Sequence, residues 1–304
     1  MIYDRYDFSP LITEEVKRKA ELIIDLQKQI GIQAVGIGDQ DIILGLKFVE
    51  KAAAQGFPFV CANLRDRKGN PTKIPAYRII EIKGIKVGVF GLAPSNFPYK
   101  TPRVPDPDFQ VTDPIEAAQK TVDILNKQGV GLIIALSSIG LDDNKVLAAK
   151  APGINLIISG HDERMLNTPM RVGETLIFQS YNKGMYLGEA RLVMIPGDTH
   201  FAEIGERQQA RNEIIALDAQ KRVFAGAIAN MPEVQAQLTE IASKLVSAKE
   251  RAKELLKATS LVENTLVPLD TSIVEREDIA RKIADFKDRE AQIQNRGASP
   301  PKTR

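Results

Sequence analysis

The sequence predicts an α/β domain with mixed sheets, followed by a helical extension. Three observations carry this. Through about the first 195 residues, short apolar runs alternate with amphipathic segments, the pattern of strand and helix units. Two adjacent runs are joined by the short turn Lys83-Gly84, so some strands are antiparallel. Beyond Ile204 the apolar spacing changes to four-three, as in heptads.

Each element follows from its own residues. Residues 11–30 place Val16, Ala20, Ile23, Ile24, Leu26 and Ile30 at helical spacing, and Gly31 ends that helix. Ala34-Val35-Gly36-Ile37 is an apolar strand, and the loop Gly38-Asp39-Gln40-Asp41 follows it. Residues 45–55 are the next helix and 57–64 the next strand. A polar loop, 65–72, carries the turn signal Gly69-Asn70-Pro71. Residues 77–82 and 85–92 are the hairpin strands, and the proline-rich stretch 94–107 is an irregular excursion. Asp113 can cap a helix in which Pro114 suits the first turn and Glu116 favours the positive end. Buried strands are expected over 130–137 and 154–159, and further strands over 175–180 and 186–194.

This first domain is assigned to residues 1–198 and a helical hairpin or coiled coil to 199–262. In that second region Ala210, Ile214, Leu217, Phe224 and Ile228 keep the four-three spacing, with Lys221 in one apolar slot. Asn230-Met231-Pro232 breaks the helix, and Val234, Leu238, Ile241, Leu245, Ala248, Ala252 and Leu255 resume the pattern. The spacing suits an internal hairpin, a dimerisation arm, or a helix packed on its own domain. Residues 263–304 are a connector at 264–271, a short helix to about 294 opened by a capping box at Ser272-Ile273-Val274-Glu275, and a disordered tail.

Composition excludes several classes. The 41 basic and 39 acidic residues nearly cancel, leaving +2, so a nucleic-acid partner is not expected. Cys61 is the single cysteine and sits in an apolar strand, which removes internal disulfides and thiolate zinc sites. No apolar run approaches the roughly 18 residues of a membrane span. As written, the start MIYDRYDFSP has no signal-peptide pattern, and a cytoplasmic location is expected.

Three polar loops follow apolar strands: Asp39-Gln40-Asp41, Ser137-Ser138, and Gly160-His161-Asp162-Glu163. Open α/β sheets put their chemistry at such strand ends, and neighbouring strands would bring the loops together. Plainer roles are open to each. Asp39 and Asp41 can cap the next helix or end the strand, and His161 can bond its own turn. A serine nucleophile is not expected, because no His-Asp partner stands near Ser137 or Ser138 in sequence. The glycines form no dinucleotide fingerprint.

Several segments resemble the metallophosphoesterase (calcineurin-like) domain of the 5′-nucleotidase family. GIQAVGIGDQD resembles the family's strand into its Gly-Asn-His-Glu loop, and FPFVCANL its strand ending in Ala-Asn-Leu. GIKVGVFGLAP, the run DPIEAAQKTVDILNKQGVGLIIALSSIGLDDN, and PGINLIISGHDE through GMYLGEARL follow the family pattern too. Asp4-Arg5-Tyr6-Asp7 resembles its Asp-x-Gly-Asp, so the likeness covers about residues 2–195. The resemblance implies a mixed two-sheet sandwich flanked by helices. It also implies two divalent metals that activate water and neutralise phosphoryl oxygens.

Carried over position by position, the site is reduced. Asp7 stands where the bridging aspartate would be, and Asp39 replaces a ligand asparagine. Gln40 occupies the catalytic histidine's place and cannot act as an acid. Ser138 replaces a ligand histidine; His161 stays as the first histidine of Gly-His-x-His, and Glu163 replaces the second. Asp7, Asp39, His161 and Glu163 are therefore the candidate ligands for Mn²⁺, Mg²⁺ or Zn²⁺. The family's opening Asp-x-His strand has no counterpart in the sequence, so the chain as written is expected to self-associate or aggregate. A start further upstream would restore that strand and imply export to the periplasm. The expectation is a degenerate, inactive relative serving as a binding or scaffold module. It would take a nucleotide or phosphoester ligand and form homo-oligomers through its C-terminal helices. The alternative is an active metal-dependent phosphoester hydrolase with fewer ligands.

Overall fold

The computed structural model describes residues 10–96, 107–195, 198, 200–226, 232–257 and 260–297. Asp7 lies outside them. Helix α1 (Pro10–Gln29) leads to the short strand β1 (Val35–Gly36), helix α2 (Leu46–Ala54) and strand β2 (Phe59–Val60). Strands β1 and β2 pair in parallel. The run expected as one strand over 57–64 is divided, because Cys61-Ala62-Asn63 turns the chain before β3 (Leu64–Asp66). The hairpin strands β4 (Tyr77–Ile82) and β5 (Ile85–Leu92) pair antiparallel from Tyr77↔Phe90 to Ile82↔Ile85. Strand β6 (Phe109–Val111) returns to pair with β3.

Helix α3 (Pro114–Lys127) is capped as its sequence suggests, with Glu116 N–H donating to Asp113 Oδ1 at 2.8 Å. It covers β5 and β7 (Leu132–Ser137) with Ala118, Val122 and Leu125. Helix α4 (Leu141–Lys150) and strands β8 (Leu156–Ser159), β9 (Met170–Val172) and β10 (Thr175–Phe178) complete a six-stranded sheet. Its order is β4-β5-β7-β8-β10-β9, with the four inner strands parallel and each edge strand antiparallel to its neighbour.

The β1–β2 pair lies against β5 and β7 in backbone-to-backbone contact. A Cβ on Gly91 would sit 2.0 Å from the Val60 carbonyl oxygen, and one on Gly36 2.8 Å from Leu136 Cβ. Only glycine permits so close an approach.

A separate three-stranded sheet is formed by β11 (Tyr186–Val193), β12 (Phe201–Glu203) and β13 (Ser260–Pro268). Residues 264–271, expected as a connector, fall largely within β13. This strand pairs with β11 from Tyr186↔Pro268 to Val193↔Leu261, and its Val262 is fully buried. Between β12 and β13 the chain forms helices α5 (Ile204–Gly226) and α6 (Pro232–Lys257). Leu217 on α5 and Ile241, Leu245 and Ala248 on α6 are buried against one another. At the base, Arg171 of β9 grips Glu206 at 2.8–3.2 Å and donates to the Phe201 carbonyl at 2.7 Å.

Helix α7 (Glu277–Gly297) runs antiparallel to α1. Arg18 forks onto Glu290 at 2.6 and 2.8 Å, and Lys282 reaches Asp25 at 2.7 Å. The capping box expected at Ser272 is not made. The Ser272 hydroxyl donates to Asp270 Oδ1 at 2.5 Å, and the helix starts at Glu277. No described helix is long and apolar enough to cross a membrane.

Candidate active site at the strand ends

The three polar loops meet at one edge. The loop after β1 is closed by its own carboxylate, with Gly38 N–H donating to Asp41 Oδ2 at 2.8 Å. This uses Asp41 to end the strand. The cap of α2 comes from elsewhere: Leu46 N–H donates to Asp108 Oδ1 at 3.0 Å. Asp39 is then turned inward, only 7% exposed, and its Oδ1 lies 3.3 Å from His161 Nδ1. Ser138 lies between the flanking loops. A Cβ on Gly38 would be 3.3 Å from its Oγ, and one on Gly160 3.9 Å. The neighbouring Ser137 Oγ is buried with no hydrogen-bond partner among the described residues.

His161 is held from both sides. Gly160 N–H donates to the Ser137 carbonyl at 2.7 Å, and Gln179 Nε2 donates to the Asp162 carbonyl at 2.7 Å. The Asp162 carboxylate accepts from Leu141 N–H, capping α4 from the same loop. Within this frame His161 adopts φ 81°, a left-handed conformation that an L-residue with a Cβ disfavours.

Glu163, expected as a substitute ligand, is exposed. Among the described residues, no three His, Cys, Asp or Glu side chains gather as a metal site requires. Asp39 and His161 supply one carboxylate and one imidazole, where a bound zinc, manganese or magnesium ion takes four to six donors. The described donors therefore do not fit a two-metal centre. Cys61 is no nucleophile, since burial pushes its thiol up to about 11.

One organising residue was visible in sequence only as part of a motif. Asn63 is fully buried; its Nδ2 donates to the Ala93 and Thr112 carbonyls at 2.8 and 3.0 Å, and its Oδ1 accepts from Ala93 N–H at 2.9 Å. It fastens the end of β5 to the chain leaving β2. A lone amide in an apolar strand was the available signal.

No family model matches the chain. It is 31% identical over 164 residues to a 5′-nucleotidase of Diplobatis ommata, covering 47% of this chain and 28% of the relative. It is 29% identical over 191 residues to the uncharacterized metallophosphoesterase YunD of Bacillus subtilis, covering 61% of this chain and 39% of the relative. The chain is thus similar in sequence to 5′-nucleotidases and to metallophosphoesterases. Its fold agrees with the calcineurin-like phosphoesterase YfkN of Bacillus subtilis, at TM-score 0.58 and 18% identity over 91% of this chain and 75% of that one. The aligned part spans about a third of the length of the first curated relatives, at 28%, 34% and 39%. In this metallophosphoesterase-like domain, Asp39, Ser138 and His161 come together at the strand ends, and Glu163 stands outside.

Proposed function

We propose that the chain is a degenerate member of its family, in which the edge holding Asp39, Ser138 and His161 binds a nucleotide or other phosphoester without turning it over. The protein then serves as a binding or scaffold module. The supporting observation is the donor set. Asp39 and His161 meet at 3.3 Å, while Gln40 brings an amide without acid–base capacity and Glu163 is exposed. Asp7, Asp39, His161 and Glu163 remain the residues proposed for any residual divalent cation. Self-association through the C-terminal helices belongs to the same proposal, supported by Val223 and Val246, which are 71% and 64% exposed on the helical arm.

A second reading is favoured by His161. A left-handed histidine in a loop hydrogen-bonded at the residues on either side of it is a cost that a working site would justify. That reading is a metal-dependent phosphoester hydrolase with a reduced ligand set. Hydrolysis of nucleotides and phosphodiesters with Mn²⁺, Mg²⁺, Zn²⁺ and Co²⁺, beside metal content by mass spectrometry, separates the two. The binding role expects no metal-dependent turnover, together with nucleotide binding that weakens in His161→Ala. Turnover that vanishes in Asp39→Ala and His161→Ala would establish the hydrolase instead. For the association, light scattering should give a mass above the monomer, and a monomeric mass at every concentration would refute it.

A further inference from the structure

A second concave surface lies away from the site, at the base of the helical arm. It is a groove of about 920 Å³ between α5, the end of α6 and β13. That volume falls within the roughly 300–1,000 Å³ of small-molecule sites. Its apolar lining includes Ile204, Ile214, Ile215, Ala252, Leu256 and Leu261. Three of these are left open to water, Leu256 at 72%, Ile215 at 59% and Ile204 at 45%. Along α5 the groove runs from Ile204 to Ile215, roughly 16 Å at the helical rise. That is the extended length of a medium-chain acyl group.

The charges at this groove have one sign. Arg207 lines it and is tied by its Nε and Nη2 to the Leu255 carbonyl at 3.1 and 2.9 Å. Arg211 also lines it, is exposed, and makes no hydrogen bond or ion pair among the described residues. Among the described residues, no carboxylate lines the groove. Two copies meeting face to face here would bring the same guanidinium groups together, so charge complementarity disfavours a second copy as occupant. A membrane surface is disfavoured too, because stable adsorption draws on a cluster of cations and a convex apolar face.

We propose that this groove binds a single fatty-acid-like amphiphile, its acyl chain along Ile204, Ile215, Leu256 and Leu261 and its carboxylate on Arg211. The test is calorimetric titration of the full chain with dodecanoate below its micelle concentration. Dodecyltrimethylammonium serves as the cationic counterpart, and phosphatidylglycerol vesicles are a separate arm. Saturable one-to-one binding of dodecanoate is expected. Arg211→Ala should weaken it by about tenfold, the loss of one charge-assisted contact. Arg211→Lys should largely restore it, and Leu256→Asp should abolish it with thermal melting unchanged. Dodecanoate binding that ignores Arg211→Ala would overturn the proposal, as would equal binding of the cationic detergent or no saturable binding. Binding to vesicles alone, or a dimer that dissociates in Leu256→Asp, would assign the groove to a membrane or to a second copy.

Discussion

Asn63 sits where the chain segments leaving β2, β5 and β6 meet, with both polar ends of its amide engaged in full burial. Replacing it with leucine keeps the branched shape at a larger volume and strands the Ala93 N–H and C=O together with the Thr112 carbonyl. Unpaired buried groups cost about 1–3 kcal/mol each, softened by relaxation, so Asn63→Leu should lose about 2–4 kcal/mol in urea unfolding. A loss below 1 kcal/mol would mean that these bonds are replaced elsewhere. His161 gives the opposite kind of test. At φ 81° alanine is strained and glycine is not, so His161→Gly should be more stable than His161→Ala by about 1 kcal/mol. Equal stabilities would indicate that the loop relaxes once the imidazole is gone. The Asp39–His161 contact was legible only as two separate loops. Its partners are 122 residues apart, and their meeting depends on strand order, which periodicity does not encode.

Helix α7 rests on α1 through charge. Arg18 holds the Glu290 carboxyl below the usual carboxylate range. A depressed folded-state pKa means that the contact's stabilisation is fully present above the unfolded pKa and is lost as pH falls through the folded value. Amide exchange along α7 should therefore rise relative to α3 below about pH 4, the region of an unperturbed glutamate. At neutral pH, added salt should loosen the same helix, because part-exposed pairs are screened. An α7 as protected as α3 under both conditions would show that its apolar residues hold it instead. At this scale the sequence was an uneven guide. The hairpin strands were legible because turn and alternation are local. Helix α4 was passed over because its cap, Asp162, comes from a loop 21 residues away. Strand β13 was missed because its partner β11 lies beyond the whole helical arm.

The molecule as a whole has unequal parts. The sheet domain is built on large buried clusters, whereas the outer half of the arm, among the described residues, is buried against itself. Leu125→Ala, at a fully buried site under the main sheet, should cost about 2–5 kcal/mol of global stability. Leu245→Ala should instead speed exchange in α5 and α6 and leave the main unfolding transition in place. One common shift in both would make arm and sheet a single cooperative unit. The contact between Gly91 and the Val60 carbonyl bears on this division. A layer resting on side chains can slide as they change rotamer, but a layer resting on bare backbone is keyed in place. The spacing between the loops that carry Asp39 and Ser138 is therefore set behind them. Those loops can exchange their chemical groups, as the resemblance implies for Gln40 and Ser138, while the frame that presents them keeps its gauge.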